Sequence, residues 1–396
     1  MKLAPEVSAI QTHNLCFLGF GNVNRTLVRL LADRAQELRE KYGTTFRITG
    51  IASRRLGWIA DPNGVDPEQC GADTPVRQKP KIFENAAETN PEERAAAASG
   101  PSAASPGIPN SDSGPGFRRT GVSAPHNKVR DWLAAARADV LFEATSLNVE
   151  TGQPAIDHIR AALTHGAHAI TANKGPIVHA YHELRDLAAK QGKRFFFEST
   201  VMDGVPIFSL FDRLPAIHLQ GFHGILNSTT NVILGEMENG LSFDEALKKA
   251  QALGVAETDA THDIDGWDAA VKTAALITVL MDVPVKLADI QREGIRDLTM
   301  QAVRNAKRDG WPFKLVCRAQ RTSLIDPSGV EVHGVKASVA PEKVLATSPM
   351  GKISGTSSYI YFETDIFPGL AITEENPGLY ATAYGMFADF IRAVNV

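Results

Sequence analysis

The chain has 396 residues, 43% of them hydrophobic and 22% charged, with a formal net charge of −4; this length accommodates two or three domains with substantial cores. Without a basic stripe or block of Lys and Arg, nucleic acid and anionic membrane surfaces are poor partners, and a small molecule is the better expectation. Three cysteines far apart (Cys16, Cys70, Cys317) fit neither a disulfide framework nor a zinc site and suit the reducing cytoplasm, while no apolar run is long enough to span a bilayer and residues 1–10 lack the apolar stretch of a secretion signal.

In chain order, Leu15–Leu18 reads as a short strand bounded by Gly19, and Leu27, Val28, Leu30, Leu31 and Leu38 give residues 25–42 a helical spacing that Gly43 stops. Phe46–Ala52 reads as a second strand, completing a βαβ unit of the length that parallel pairing needs. Residues 75–125 are rich in Pro, Gly, Ser and Ala and have too little apolar surface to offset the entropy of ordering, so they read as a mobile insertion. Strands over 140–144, 167–171 and 194–198 then alternate with helices over 154–163, closed near Gly166, and 181–191. Such alternation implies an α/β fold with a mostly parallel sheet covered by helices. From Phe208 the pattern changes. A strand over 219–226 precedes a capping box, Ser242 with Glu245, that opens a helix ending at Gly254. Strands over 313–319, 330–339 and 358–363 follow, and a last helix has Asn376 as cap and Pro377 at its first position.

The densest chemistry lies in Glu257-Thr-Asp-Ala-Thr-His-Asp263-Ile-Asp265-Gly-Trp-Asp268-Ala-Ala-Val-Lys272. Asp268 and Lys272 stand four apart on one helix face, and the helix continues as Thr273–Met281, apolar enough for a core. Charges there are costly unless paired or used. An ordinary surface pair is the plain alternative. A calcium loop does not fit, since no start point gives alternating oxygen ligands, a glycine at the sixth position and a glutamate at the twelfth.

Gly19-Phe20-Gly21-Asn22-Val23-Asn24 follows a strand and opens a helix, the setting in which G-x-G-x-x-G binds a pyrophosphate, although Asn24 replaces the third glycine and a simple glycine turn remains open. After the second strand come Ser53-Arg54-Arg55, where NAD-selective proteins carry an acid; arginine there suits the 2′-phosphate of NADP. Thr145-Ser146, Thr171-Ala-Asn-Lys174 and Glu198-Ser-Thr-Val201 also follow the carboxyl ends of strands, the edge along which open α/β sheets bind ligands. Lys174, in the turn Asn173–Pro176, stands out as an ammonium for the nicotinamide side of such a site. Gly224–Asn231 leaves a strand with five polar side chains suited to a small polar ligand, or to capping a helix.

Through Gly19–Val23, Thr171–Gly175, Gly224–Asn231 and the long tract from Gly254 to Lys272, the chain resembles homoserine dehydrogenase over about residues 14–60 and 128–300. The resemblance implies NADP-dependent, or NAD-dependent, interconversion of L-homoserine and L-aspartate 4-semialdehyde on the route to threonine and methionine. It implies a Rossmann-like dinucleotide domain over 1–206, a second α+β substrate-binding domain over 207–300, and a part over 301–396 that dimerises and returns to the cofactor domain. Glu257, Asp263, Asp268 and Lys272 are then substrate-binding or catalytic, with Lys174 the other catalytic lysine. Gly19, Phe20, Gly21, Asn22, Val23, Arg54, Thr145, Ser146, Lys174 and Gly355 face the cofactor. Sodium or a similar monovalent cation is held by the loop of Glu198, Val201, Asp203 and Val205, mainly through carbonyl oxygens, and the partner is a second copy of the chain. A regulatory domain for threonine feedback is not expected.

Alcohol oxidation needs a base for the hydroxyl proton while a hydride leaves the same carbon. Lys174 is the expected acceptor, with Lys272 as polarising donor and Asp268 as its orienting partner. Glu257 and Asp263 are expected to hold the substrate ammonium, and donors of the 227–231 turn its carboxylate. A thioester-forming semialdehyde dehydrogenase would need a cysteine at the cofactor, and none of the three stands there. A non-catalytic dinucleotide sensor is the alternative from another class.

Overall fold

The computed structural model describes residues 10–70, 126–325 and 331–395. The low-complexity segment expected over 75–125, the N-terminal residues 1–9 and Val330 lie outside the described residues. The first sheet is built from β1 (Gln11–Leu18), β2 (Thr44–Ser53), β3 (Gly57–Ala60), β4 (Val140–Glu143), β5 (His168–Thr171) and β6 (Phe195–Phe196), in the order β3-β2-β1-β4-β5-β6. Its neighbours are parallel except for β3, which runs antiparallel to β2. Between them run α1 (Asn22–Asp33), α2 (Ala35–Tyr42), α3 (His126–Ala136), α4 (Ala155–His165) and α5 (Gly175–Lys190). All four residues of β4 are buried, as a strand covered on both faces requires. The strand order reverses between β1 and β4, and the crevice at such a reversal is where sheets of this kind bind ligands.

The second sheet has the order β12-β11-β7-β9-β10-β8. Its strands are β7 (Leu219–Ile225), β8 (Gln291–Arg292), β9 (Phe313–Ile325), β10 (Glu331–Lys343), β11 (Ser358–Thr364) and β12 (Leu370–Glu374), accompanied by α6 (Ile207–Phe211), α7 (Ser228–Glu238), α8 (Phe243–Ala252), α9 (Thr261–Ile264), α10 (Trp267–Leu280) and α11 (Met300–Arg308). Pairing is antiparallel except for β8 with β10. The fold is therefore α/β, with one mostly parallel sheet and a second, mixed one. The Ser242 capping box forms as expected, with side chain and backbone reciprocally bonded to Glu245.

Three helices differ from their sequence expectation. The helix expected over 25–42 starts at Asn22 and breaks at Arg34 (φ −105°, ψ 9°), because residues 32–36 are exposed and carry nothing that anchors a single axis to the sheet. The helix expected from Tyr181 forms, but a further helical stretch from Gly175 precedes it across a break at Ala180 (φ −147°, ψ 19°), Pro176 being tolerated in a first turn that needs no amide from it. Lys174 is thereby the residue from which α5 departs. The last helix, α12 (Leu379–Val394), is capped by Gly378 and not by Asn376, whose φ of +44° is left-handed, whereas a cap residue has extended backbone. β3, β8 and β12 are too short for an alternating pattern to show in the sequence, whereas α3 and α11 lie outside the elements expected although α11 carries a clear apolar face.

Helix α12 leaves the second sheet and packs on the first. Met386, Phe387, Phe390 and Ala393 share a core with Leu15, Phe17, Leu27 and Leu31, Phe390 meets Phe142 edge-on at 6.0 Å, and the Tyr380 hydroxyl lies 3.2 Å from an Asp33 oxygen. The chain so crosses between the two sheets twice.

Gly19 stands at φ +82°, and a Cβ there would lie 2.4 Å from the Ala144 carbonyl oxygen. Both the left-handed backbone and the approach to the β4 edge exclude a side chain. Gly19→Ala is expected to lower unfolding free energy by about 1–3 kcal/mol and to weaken dinucleotide binding; an unchanged denaturation midpoint would show that the β4 edge yields.

Candidate active site

At the reversal point, α1 begins with Gly21 as its cap and no side chain bonding its first amides. A Cβ at Gly21 would meet nothing within 4 Å, so the first turn of α1 faces open space. An open helix N-terminus at this edge fits a pyrophosphate. Asn24, in the place of the third glycine, does not loosen the turn. Fully buried, it donates its amide to the carbonyls of Leu18 (3.3 Å) and Gly19 (3.1 Å) and draws the helix to the strand end. Phe20 is buried, whereas Asn22 is exposed and Val23 half-buried beside the turn. Across the crevice, exposed Arg54 reaches Ser146 Oγ at 3.4 Å, so two residues expected at the cofactor do come together. Asn173 donates to the carbonyls of Thr145 (3.1 Å) and Ser146 (3.4 Å) and accepts from the amide of Gly175 (2.9 Å), which fastens the start of α5 to the β4 edge.

Lys174 extends from that start toward α10. Its Nζ is 3.1 Å from Asp268 Oδ1, and Lys272 Nζ is 3.1 Å from Asp268 Oδ2. Side-chain exposures of 20%, 19% and 16% for Lys174, Asp268 and Lys272 leave all three reachable by a small molecule while excluding most water. Lys272 also donates to the Leu226 carbonyl at 2.6 Å. Asn227, the cap of α7, donates to Asp263 Oδ1 (2.7 Å) and Asp268 Oδ2 (3.0 Å), tying both acids to the end of β7. Burial alone would raise Asp268, but Lys174 and Lys272, with the Asn227 bond, hold its carboxyl well below the usual range. Burial likewise opposes the charge on Lys272, and Asp268, Asp203 and Asp263 overcome it, raising its pKa. Asp263 goes the other way, pushed up by burial and by Asp268 despite Asn227 and Lys272.

Glu257 is not drawn into this group. It is exposed after α8, and among the described residues no hydrogen bond or ion pair joins its carboxylate to Asp263, Asp268 or either lysine. Gly355 is brought to α7, its carbonyl accepting from Asn231 at 2.8 Å, while Ser228 bonds the Thr356 carbonyl at 3.0 Å. In the loop expected to hold a cation, the Glu198 carboxylate is already engaged by the amides of Phe208 (2.7 Å) and Ser209 (3.0 Å) and by Arg392 (3.4 Å). Asp203, at φ +45°, accepts from the Thr382 hydroxyl; Val201 is buried and Val205 half-buried. A cation there would therefore depend on main-chain oxygens. Sequence reasoning missed Asn227 as the hub of the acids, Asn173 as the fastener of α5, and the buried acid Glu143 behind them. Asn227 had a signal in the polar tract that leaves β7, and Asn173 one in the turn around Lys174.

Glu374, at the end of β12, has one buried carboxylate oxygen without a hydrogen-bond partner among the described residues. Burial and Asp203 push its pKa up to about 8, with Lys272 pulling it back. The native state thus keeps a proton that the unfolded chain releases. This contribution to stability is intact below the unfolded glutamate value of about 4.3 and lost as pH rises through the folded value. From about pH 5 to about pH 8.5 the melting temperature of the wild type is expected to fall more than that of Glu374→Gln; parallel curves would contradict the assignment.

Comparison with known proteins bears on the same residues. The homoserine dehydrogenase family model matches residues 206–391, and the model of the NAD-binding domain of homoserine dehydrogenase matches 110–198. The NAD(+)-dependent homoserine dehydrogenase of Pseudomonas canavaninivorans is 31% identical over 96% of both chains. The homoserine dehydrogenase of Methanocaldococcus jannaschii is 36% identical over 67% of this chain and 75% of its own. Among solved structures, a homoserine dehydrogenase from Thiobacillus denitrificans (24% identity, TM-score 0.72, 97% of this chain and 74% of that one) has the same fold. So does a mutant hyperthermophilic archaeal homoserine dehydrogenase solved with NADPH (24% identity, TM-score 0.69, 97% and 98%). With an open helix N-terminus at the strand reversal of one sheet, two lysines converging on one carboxylate, and relatedness along nearly its whole length, the chain belongs to the homoserine dehydrogenase family, the NAD(P)-dependent oxidoreductases that interconvert L-homoserine and L-aspartate 4-semialdehyde.

Proposed function

We propose that Lys174 is the proton acceptor and Lys272 the polarising donor in this reaction, with Asp268 orienting both. The observation that carries this reading is the pair of 3.1 Å contacts from one carboxylate to two ammonium groups, one at the cofactor edge and one on α10. Lys272, whose charged form is stabilised by three carboxylates, suits a donor to the substrate oxygen. Lys174, the other partner of Asp268 and the one at the cofactor edge, is then assigned to take the hydroxyl proton. When bound, the dinucleotide supplies the hydride acceptor. Asp263, held by Asn227, is suited to the substrate ammonium. Glu257 would join it only after the segment following α8 moves inward, and the substrate carboxylate is assigned to donors of the 227–231 turn, where the Ser228 hydroxyl would first leave the Thr356 carbonyl. The same proposal assigns the dinucleotide to residues 1–206 with the Gly355 loop, the substrate to 207–300, and a sodium or similar ion to carbonyls of the 198–205 loop. Dimerisation is proposed through the open row His223, Tyr361 and Arg318 on adjacent strands of the second sheet, and a cytoplasmic setting agrees with three free, buried cysteines.

Lys174→Ala is expected to lower kcat for L-homoserine by about 10²–10⁴ while changing dinucleotide affinity only slightly. Equal losses in both would remove the base assignment.

For the cofactor, Arg54 and Arg55 at the end of β2 favour NADP. That the Pseudomonas relative is named as NAD(+)-dependent supports NAD as the second reading. Initial rates with each cofactor decide: a preference for NADP that Arg54→Ala largely removes supports the first reading, and a wild-type preference for NAD overturns it.

A further inference from the structure

Glu143 ends β4 beside the reversal point and is fully buried, with 0% of its surface exposed. A carboxylate without solvent is costly unless its lone pairs are used, and these are used on both sides. Oε1 accepts from the Thr145 amide at 2.9 Å and from the Thr145 hydroxyl, and Oε2 accepts from the Thr171 hydroxyl at 2.6 Å. Thr171, paired with Glu143 across the two strands, accepts in turn from the Asn173 amide at 2.9 Å. Asn173 then bonds back to the Thr145 carbonyl at 3.1 Å and holds the Gly175 amide at 2.9 Å. Glu143, Thr171, Asn173 and Thr145 thus form a closed ring. Both backbone neighbours of Lys174 donate their amides into that ring. Of the basic groups, His158 is nearest, its Nδ1 at 3.9 Å and without a hydrogen-bond partner among the described residues, so the ring does not depend on an ion pair.

We propose that Glu143 is a positioning residue for the reaction: it fixes the backbone on which Lys174 stands, so that the ammonium meets Asp268 and the reacting oxygen at the right height. The inference rests on the reading of Lys174 as proton acceptor. A glutamine of the same shape keeps the acceptor for Thr145 but turns an N–H toward Thr171, whose own hydroxyl proton then has no acceptor. The turn under Lys174 loosens while the substrate-binding groups on the second sheet are untouched.

The test is steady-state kinetics of the full chain with Glu143→Gln, its melting temperature measured in parallel, beside Lys174→Ala. Glu143→Gln is expected to lower kcat by about 10- to 100-fold with the KM for L-homoserine changed by less than about threefold, and to shift the ionisation seen in the pH profile of kcat/KM. A lower melting temperature with kcat unchanged, or a raised KM with kcat unchanged, would mean a purely structural role and overturn the inference. If the glutamine variant does not fold, Glu143→Asp, which keeps the charge but withdraws it by one methylene, is judged by the same criteria. Full turnover in Lys174→Ala would instead remove the underlying reading. An inactive Lys174→Ala beside a normal Glu143→Gln would remove this inference alone.

Discussion

A single carboxylate between two ammonium groups is the constraint on which the architecture converges. Asp268 belongs to the helix of the second sheet, Lys174 to the edge of the first, and their 3.1 Å contact spans the crevice between them. Without that contact the two lysines would repel across a poorly hydrated space, and the crevice would open. Asn227 adds the third direction by tying Asp268 and Asp263 to the end of β7. The long excursion of the chain, from the first sheet to the second and back through α12, then serves to hold the two edges at one separation. Met386, Phe387 and Phe390 anchor that return in the core of the first sheet.

Electrostatics divides the labour between residues that look alike in the sequence. Asp203, Asp263 and Asp268 surround Lys272, which favours its charged form. Burial and Asp268 push Asp263 up, and burial and Asp203 push Glu374 up, while Lys272 pulls both back. The ion pairs of Asp268 with Lys174 and Lys272 hold charge at the centre of the site, the place where a proton can be taken up and returned.

Much of this was legible in the sequence because it depends on local pattern. Alternating apolar runs and helical spacing gave the parallel sheet, Ser242 and Glu245 gave a cap, and the spacing of Asp268 and Lys272 gave a shared face. What escaped depends on partners distant in the chain. Asn24 looked like a defect in a glycine motif and is a clamp on the strand end, because its amide finds two carbonyls that only the folded turn presents together. Glu143 looked like one polar residue closing an apolar strand, since its value lies in Thr145 and Thr171, the second of them 28 positions away. The start of α12 was misplaced because Asn376 has the composition of a cap but a left-handed backbone. Glu257, which the family resemblance places with Asp263 at the substrate, faces solvent because α9 and α10 turn Asp263 inward while the segment before them stays at the surface.

The most direct measurement is the steady-state kinetics of L-homoserine oxidation in wild type and Asp268→Asn. If the carboxylate holds both lysines at the reacting oxygen, as its two 3.1 Å contacts require, its replacement lowers kcat by about 100-fold or more. A kcat within a few-fold of wild type would contradict a central role for Asp268.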